Sequence, residues 1–226
     1  MSDSKTESPW NESNYRGPEH PVVAAFVRDH LRVFRRMQEE HGAALSRDSK
    51  VLELGAGPGV FSDALSGANA FFVATDLHQS MLTRNPAKRK VRCDCTKLPF
   101  AHGHFDLVFM GNLLHHLKEP ASALKEAARV LKNDGYIWSV EPNALHPLLA
   151  IFGLLVRHEW GLLKFTAGYM SRVCREAGLR IHRRVVTGQI FQNTTPEWML
   201  PLVRPLGKGH YFLGGYQLSL IGREQK

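Results

Sequence analysis

Short apolar runs alternate along the chain with segments whose apolar residues recur every three or four positions. The first periodic segment spans Pro21 to about His41, with Val23, Phe26, Val27, Leu31 and Phe34 on one face and Gly42 as its stop. Val51–Leu54 reads as a strand that runs into a glycine loop, behind which Val60, Phe61, Ala64 and Leu65 fit a helix face. Phe71–Thr75 is a second strand with helical Ser80–Leu82 after it, and Val91–Cys95 is a short third. Asp106–Met110 is a fourth, trailed by a helical stripe at Leu124, Ala127, Ala128 and Leu131. Asn133-Asp134-Gly135 predicts a turn, and Tyr136–Val140 a fifth strand. Beyond residue 141 the rhythm loosens. Phe165–Ala177 looks helical with Gly178 as its cap, while Leu179–Val186 and Tyr211–Ile221 are strand-like and suited to close the sheet as an antiparallel pair. Strands alternating with helices in this way predict an α/β fold, a doubly wound and mostly parallel sheet with helices on both faces.

Composition narrows the class without changing that picture. With 226 residues, 43% hydrophobic and 22% charged, the chain is neither disordered nor fibrous. Residues 1–20 read as a loose polar arm and 21–226 as a single domain. Lys and Arg total 29 against 21 acids, a net charge of +8 that suits polyanionic partners such as nucleic acid or an anionic membrane. The excess clusters at Arg28, Arg32, Arg35 and Arg36, and at Lys88, Arg89, Lys90 and Arg92, either of which is equally a solvated face. Three cysteines make no disulfide framework and point to a reducing compartment. The polar N-terminus has no signal pattern, and the longest apolar run, Leu148–Val156, is too short to cross a bilayer. These features predict a soluble, cytoplasmic protein.

Chemistry concentrates at the ends of the first four strands. Val51-Leu-Glu53-Leu-Gly55-Ala56-Gly57-Pro-Gly59 leaves a strand and opens a helix, and bare glycine backbone there lets a ligand lie against N–H groups. Asp76 closes the next strand, where doubly wound sheets place a carboxylate for ribose hydroxyls. An NAD-dependent oxidoreductase has glycines and an acid in the same places. Its fingerprint, however, is G-x-G-x-x-G, whereas here the spacing is G-x-G-x-G with Glu53 two residues ahead. Asp94 ends the third strand and is followed by Leu98-Pro99-Phe100. The fourth strand runs from Phe105 through Met110-Gly111-Asn112 and exits at His115-His116.

From about Lys50 to Glu141, in this order and spacing, the chain resembles the class I S-adenosylmethionine-dependent methyltransferases, especially the small-molecule group that includes quinone-biosynthesis and sugar methyltransferases. The resemblance implies a Rossmann-like sheet of seven strands, the last antiparallel. Residues 50–141 would be its cofactor-binding half, and 142–226 its substrate lid and C-terminal strands. It implies that Glu53 and the loop of Gly55, Ala56, Gly57 and Gly59 hold the methionine end of S-adenosylmethionine. Asp76 would take the ribose diol, Leu77 and Met81 would pack near the adenine, and Asp94 and Cys95 would face its amino group and ring edge. Met110, Gly111 and Asn112 would lie by the transferable methyl. The implied activity is in-line methyl transfer to a small acceptor, with S-adenosylhomocysteine as product.

Several residues carry more than one reading. His115 or His116 is placed to act as general base on a hydroxyl nucleophile, or the pair simply packs its loop. Cys93, Cys95, His102 and His104 number enough donors for a metal, yet the cysteines sit two apart on a strand around an acid already assigned to adenine, so no metal site is expected. Cys174 reads as core. Leu148–Val156 is an ordinary buried helix, the wall of an apolar substrate pocket, or a membrane contact beside Arg157 and His158. Thr187–His210, with Phe191, Trp198 and Met199, is a second lid candidate. The acceptor is therefore expected to be apolar or amphiphilic. Nucleic-acid methylation is the alternative that the +8 charge suggests, although the fourth strand ends Met110-Gly-Asn112-Leu without the Asn-Pro-Pro-aromatic run of base-amino methylases. A non-catalytic S-adenosylmethionine-binding regulator or assembly partner is a third.

Overall fold

The computed structural model describes residues 16–68, 71–188, 190–206 and 214–223. Most of the predicted N-terminal arm, part of the second lid candidate and the start of the predicted last strand therefore lie outside the described residues. Helix α1 (Pro21–His41) opens the fold, with proline in its first turn and Gly42 in the left-handed conformation at its end. Then follow β1 (Lys50–Leu54), α2 (Ser62–Ala68), β2 (Phe71–Asp76), α3 (Gln79–Arg84), β3 (Lys90–Arg92) and β4 (Phe105–Gly111). A 3₁₀ turn, Leu114–His116, leads into α4 (Pro120–Val130), β5 (Leu131–Pro142) and α5 (Pro147–Leu155). A 3₁₀ segment, Arg157–Lys164, precedes α6 (Ala167–Glu176) and β6 (Leu179–Thr187); a short 3₁₀ turn at Glu197–Met199, α7 (Leu200–Leu206) and β7 (Tyr216–Arg223) complete the chain.

The seven strands form one sheet in the order β3-β2-β1-β4-β5-β7-β6. Strands β1 to β5 are mutually parallel, and β7 runs antiparallel between β5 and β6. The order reverses between β1 and β4, and the crevice beyond the carboxyl ends of those strands is where doubly wound sheets bind ligands. Each face has its own core. On one face α1 packs an aromatic cluster of Phe26, Phe34, Phe61, Phe109, Trp138 and Tyr216, with Phe34 stacked on Trp138 at 3.8 Å. On the other, α4 and α6 cover Leu52, Leu54, Val108 and Met110 with Leu124, Ala127, Met170 and Val173.

Several boundaries differ from the pattern. Strand β3 stops at Arg92, because Asp94 and Thr96 close a tight turn in place of further ladder. Leu131 starts β5 instead of ending α4. Asn133-Asp134-Gly135 is a bulge within β5: Phe105 pairs with Leu131 but Leu107 with Tyr136, so four residues stand opposite Asp106 alone. Helix α5 is not a wholly buried element: Leu149 and Gly153 are buried, whereas Leu148, Ile151, Leu154 and Leu155 are exposed. Arg16, expected in a loose arm, donates to the carbonyls of Gln192 and Thr195 and ties the chain start to the 191–196 loop. Both arginine- and lysine-rich clusters lie on solvated faces, the second guarding the β3 edge of the sheet.

Candidate active site

The crevice at the β1/β4 switch point is a cavity of about 740 Å³. Its wall on one side is the loop after β1 and the acids that end β2 and follow β3; on the other it is α5, the 3₁₀ segment behind it, and the 191–203 region. Gly55 permits the loop to pass here, with φ of +65° and a would-be Cβ only 2.6 Å from Leu113 Cδ1.

Behind the loop lies a buried polar chain. Ser62 Oγ donates to Glu53 Oε2 at 2.5 Å, and Asn85 Nδ2 donates to Ser62 Oγ at 2.8 Å and to the Gly57 carbonyl at 3.1 Å. Burial raises the Glu53 carboxyl pKa to about 8, and the Ser62 hydrogen bond only partly opposes this. Glu53 is thus a desolvated acid that faces the cavity, with no cation paired to it among the described residues. Asp76 accepts the Gly57 N–H and the His78 N–H, one on each carboxylate oxygen at 2.9 Å, which pins the loop to the end of β2. Asp94 caps its own turn through both the N–H and the hydroxyl of Thr96 while also lining the cavity. These hydrogen bonds hold its pKa below the ordinary carboxylate value.

A second polar cluster sits where the two walls meet. Glu141, fully buried at the end of β5, accepts the backbone N–H groups of Leu113 and Leu114, and its Oε2 lies 2.7 Å from His115 Nδ1. The other ring nitrogen, Nε2, lies 3.6 Å from Glu159 Oε2 on the 3₁₀ segment. Burial disfavours the imidazolium, but the hydrogen bonds and charges of Glu141 and Glu159 outweigh it and raise the His115 pKa to about 9. The segment packs so closely that a Cβ on Gly161 would overlap the His115 carbonyl. Asn112, at the exit of β4, has φ of +54°, a conformation that asparagine tolerates better than most residues.

Residues 52–139 match the family model of a methyltransferase domain. The chain is 39% identical over 106 residues to a demethylmenaquinone methyltransferase of Mycolicibacterium vanbaalenii, covering 46% of each protein. It is 29% identical over 169 residues to a ubiquinone biosynthesis O-methyltransferase of Thiobacillus denitrificans, covering 67% of this chain and 72% of that one. The chain spans about half the length of the demethylmenaquinone methyltransferases it matches. An S-adenosylmethionine-dependent methyltransferase of Thermotoga maritima shares the fold, with a TM-score of 0.65 at 19% identity over 90% of this chain and 100% of that one.

Of the residues expected to hold the cofactor or act as base, the cavity wall includes Glu53, Gly55, Ala56, Gly57, Asp76, Leu77, Met81, Asp94, Cys95, Gly111, Asn112, His115 and His116. Two residues expected there are elsewhere. Met110 is fully buried in the opposite core: it pairs with Leu54, and side chains on a strand alternate faces, so it points away from the face that Glu53 and Phe109 share. Gly59 turns the loop against the Pro86 ring behind the wall. The cysteines and the loop histidines do not converge; His104 packs on Phe71 and Phe105 at the opposite end of the sheet. Cys174 is buried in the core, as its position suggested. Sequence reasoning missed Ser62, Asn85, Glu141 and Glu159. None carries a motif, and only the sheet register and the lid packing bring them to the site.

Proposed function

We propose that this chain methylates a small apolar or amphiphilic acceptor from S-adenosylmethionine, within a single domain spanning residues 21–226. The observation that carries the reading is that one cavity joins the Glu53–Asp76–Asp94 wall to an apolar wall of Leu148, Leu149, Phe152, Leu162 and Met199. The polar wall fits the cofactor: a desolvated carboxylate at Glu53 suits an ammonium, and Asp76 lies where a ribose diol would meet it. When bound, S-adenosylmethionine supplies a sulfonium methyl open to in-line displacement. The chain's residues then orient the acceptor and exclude water, the main protein contribution to such chemistry. His115, held protonated between two carboxylates near neutral pH, positions its loop and is no general base there; His116 is the imidazole left for that task if the acceptor holds a proton. Unpartnered amide oxygens of Gln192 and Asn193 offer polar handles for an acceptor's head group. The names of the relatives point to a quinone-type acceptor, and neither basic cluster contributes to the cavity wall, which disfavours nucleic acid.

The test is calorimetry with S-adenosylmethionine, then transfer of labelled methyl to quinol acceptors. Asp76→Ala should weaken cofactor affinity by about 1–3 kcal/mol, the cost of leaving ligand hydroxyls and the Gly57 N–H unpaired. Unchanged affinity removes Asp76 from the cofactor site.

The lid exterior suits an acceptor that arrives from lipid. Leu148, Leu154 and Leu155 are 64%, 66% and 80% exposed, and Trp198, just ahead of α7, is 71% exposed. The 3₁₀ segment turns Arg157, Trp160 and Lys164 outward while Glu159 turns in to His115. Apolar residues ringed by cations suit an anionic bilayer surface. No helix among the described residues is long and apolar enough to cross a membrane, so contact would be superficial. The full chain should sediment with phosphatidylglycerol vesicles more than with phosphatidylcholine. Replacing Leu148, Ile151 and Leu154 by serine should lower that partition at least tenfold with cofactor affinity unchanged; equal partition sinks the idea.

A further inference from the structure

Among the described residues, His115, His116 and Glu159 bring one metal-type donor atom each within 4.8 Å of one another. We propose that they bind a divalent cation of the zinc or cobalt type in the cavity wall. His115 Nε2 and Glu159 Oε2 are 3.6 Å apart. Two ligands with bonds of about 2.1 Å on a tetrahedral ion stand roughly 3.4 Å apart, so this pair is already near coordinating distance. Bringing the third donor from at most 4.8 Å to that spacing takes up to about 1.4 Å of approach.

Two further observations point the same way. Glu141, fully buried, holds His115 Nδ1 at 2.7 Å. A carboxylate on the far nitrogen is the arrangement that fixes the tautomer and orientation of metal-ligating histidines, and it aims Nε2 at Glu159. Charge is the second. Two carboxylates, Glu141 and Glu159, flank the buried His115 ring, and a divalent cation beside them would offset both, since charge in a buried site is tolerated when it is paired.

Two imidazoles and one carboxylate favour zinc, cobalt or ferrous iron over magnesium, which prefers an all-oxygen shell. All three residues line the cavity, which leaves an open coordination position toward bound ligand. On the methyltransferase reading, that position would take the acceptor oxygen and lower the pKa of its hydroxyl, so that the O–H bond would break with its proton passing to water in the cavity mouth, since a metal-bound His116 has no lone pair to accept it, and the resulting oxyanion would attack the methyl. The ion would also fasten the 3₁₀ lid segment to the turn after β4.

The test is cobalt titration of tag-free, chelator-treated full chain, followed by zinc competition. One equivalent should bind with visible d–d absorption and a micromolar Kd. His116→Ala and Glu159→Gln should each weaken binding at least 100-fold, and Glu141→Gln 10- to 100-fold. Absence of a one-to-one spectrum, or His116→Ala and Glu159→Gln titrating like the parent, overturns the site. His116→Ala keeps the test open should a Glu141 variant fail to fold. Cofactor calorimetry on the same sample separates the two readings: cobalt uptake without S-adenosylmethionine binding would sink the proposed function and keep the metal site, and the converse would do the reverse.

Discussion

Glu141→Ala should destabilise the protein by about 3–5 kcal/mol, the usual cost of removing one partner from a buried charged pair. The carboxylate does several jobs at once. It accepts two backbone N–H groups of the turn that leaves β4, from Leu113 at 3.1 Å and Leu114 at 2.9 Å, and it holds His115 Nδ1. Alanine leaves those donors without their buried acceptor, and leaves the His115 ring facing Glu159 alone. Urea denaturation reads the stability loss, and a change below about 1 kcal/mol would show that the turn holds without Glu141. Glu141→Gln keeps the volume and one acceptor oxygen but offers a donor where an acceptor is needed, so it should fall between. Because the turn carries Asn112, His115 and His116 into the cavity, methyl transfer should fall at least 100-fold in the alanine variant. The loss should sit mainly in kcat, since Glu53 and Asp76 stand on other strands and Asp94 in the turn after β3.

That prediction could not have been made from the chain's pattern, for a physical reason. The strand and helix periods, the glycine loop and the acids at strand ends are local signals, and they located β1, β2, β4 and most of the polar wall. Glu141 reaches His115 only because β4 and β5 pair with Gly111 beside Val140. Glu159 reaches it only because the segment behind α5 folds back over the turn. Met110 shows the same limit from the other side: its position at the strand mouth was legible, but which face it takes depends on register with Leu54. The exposed side of α5 was equally hidden, since a uniformly apolar run has no period that marks one face as outside. Contacts made by neighbours in sequence are read from sequence; contacts made by register and by lid packing are not.

Cofactor binding should release a proton, and Glu53 should be its source. In the ligand-free protein the carboxyl has a pKa of about 8, raised by burial from 4.5, so near neutral pH it holds a proton that the unfolded chain gives up. Folding stability from this group is therefore fully present below about pH 4.5 and is lost as pH rises toward 8. The slope approaches about 1.4 kcal/mol per pH unit, with a total on the order of 5 kcal/mol. Glu53→Gln should remove that slope and leave the ligand-free variant more stable than the ligand-free parent above pH 8. An ammonium placed beside Glu53 reverses the preference and expels the proton. Calorimetry at pH 6.5 in buffers of different ionisation enthalpy should then show release approaching one proton per S-adenosylmethionine, shrinking toward zero above pH 8 and absent in Glu53→Gln. The variant should bind about 10- to 100-fold more weakly, the worth of a charge-assisted hydrogen bond. Proton release that persists unchanged in Glu53→Gln would place the methionine end of the cofactor elsewhere. The same result would leave the stability of the empty site as the only reason for a buried acid at the end of the first strand, a costly arrangement with nothing bound to offset it.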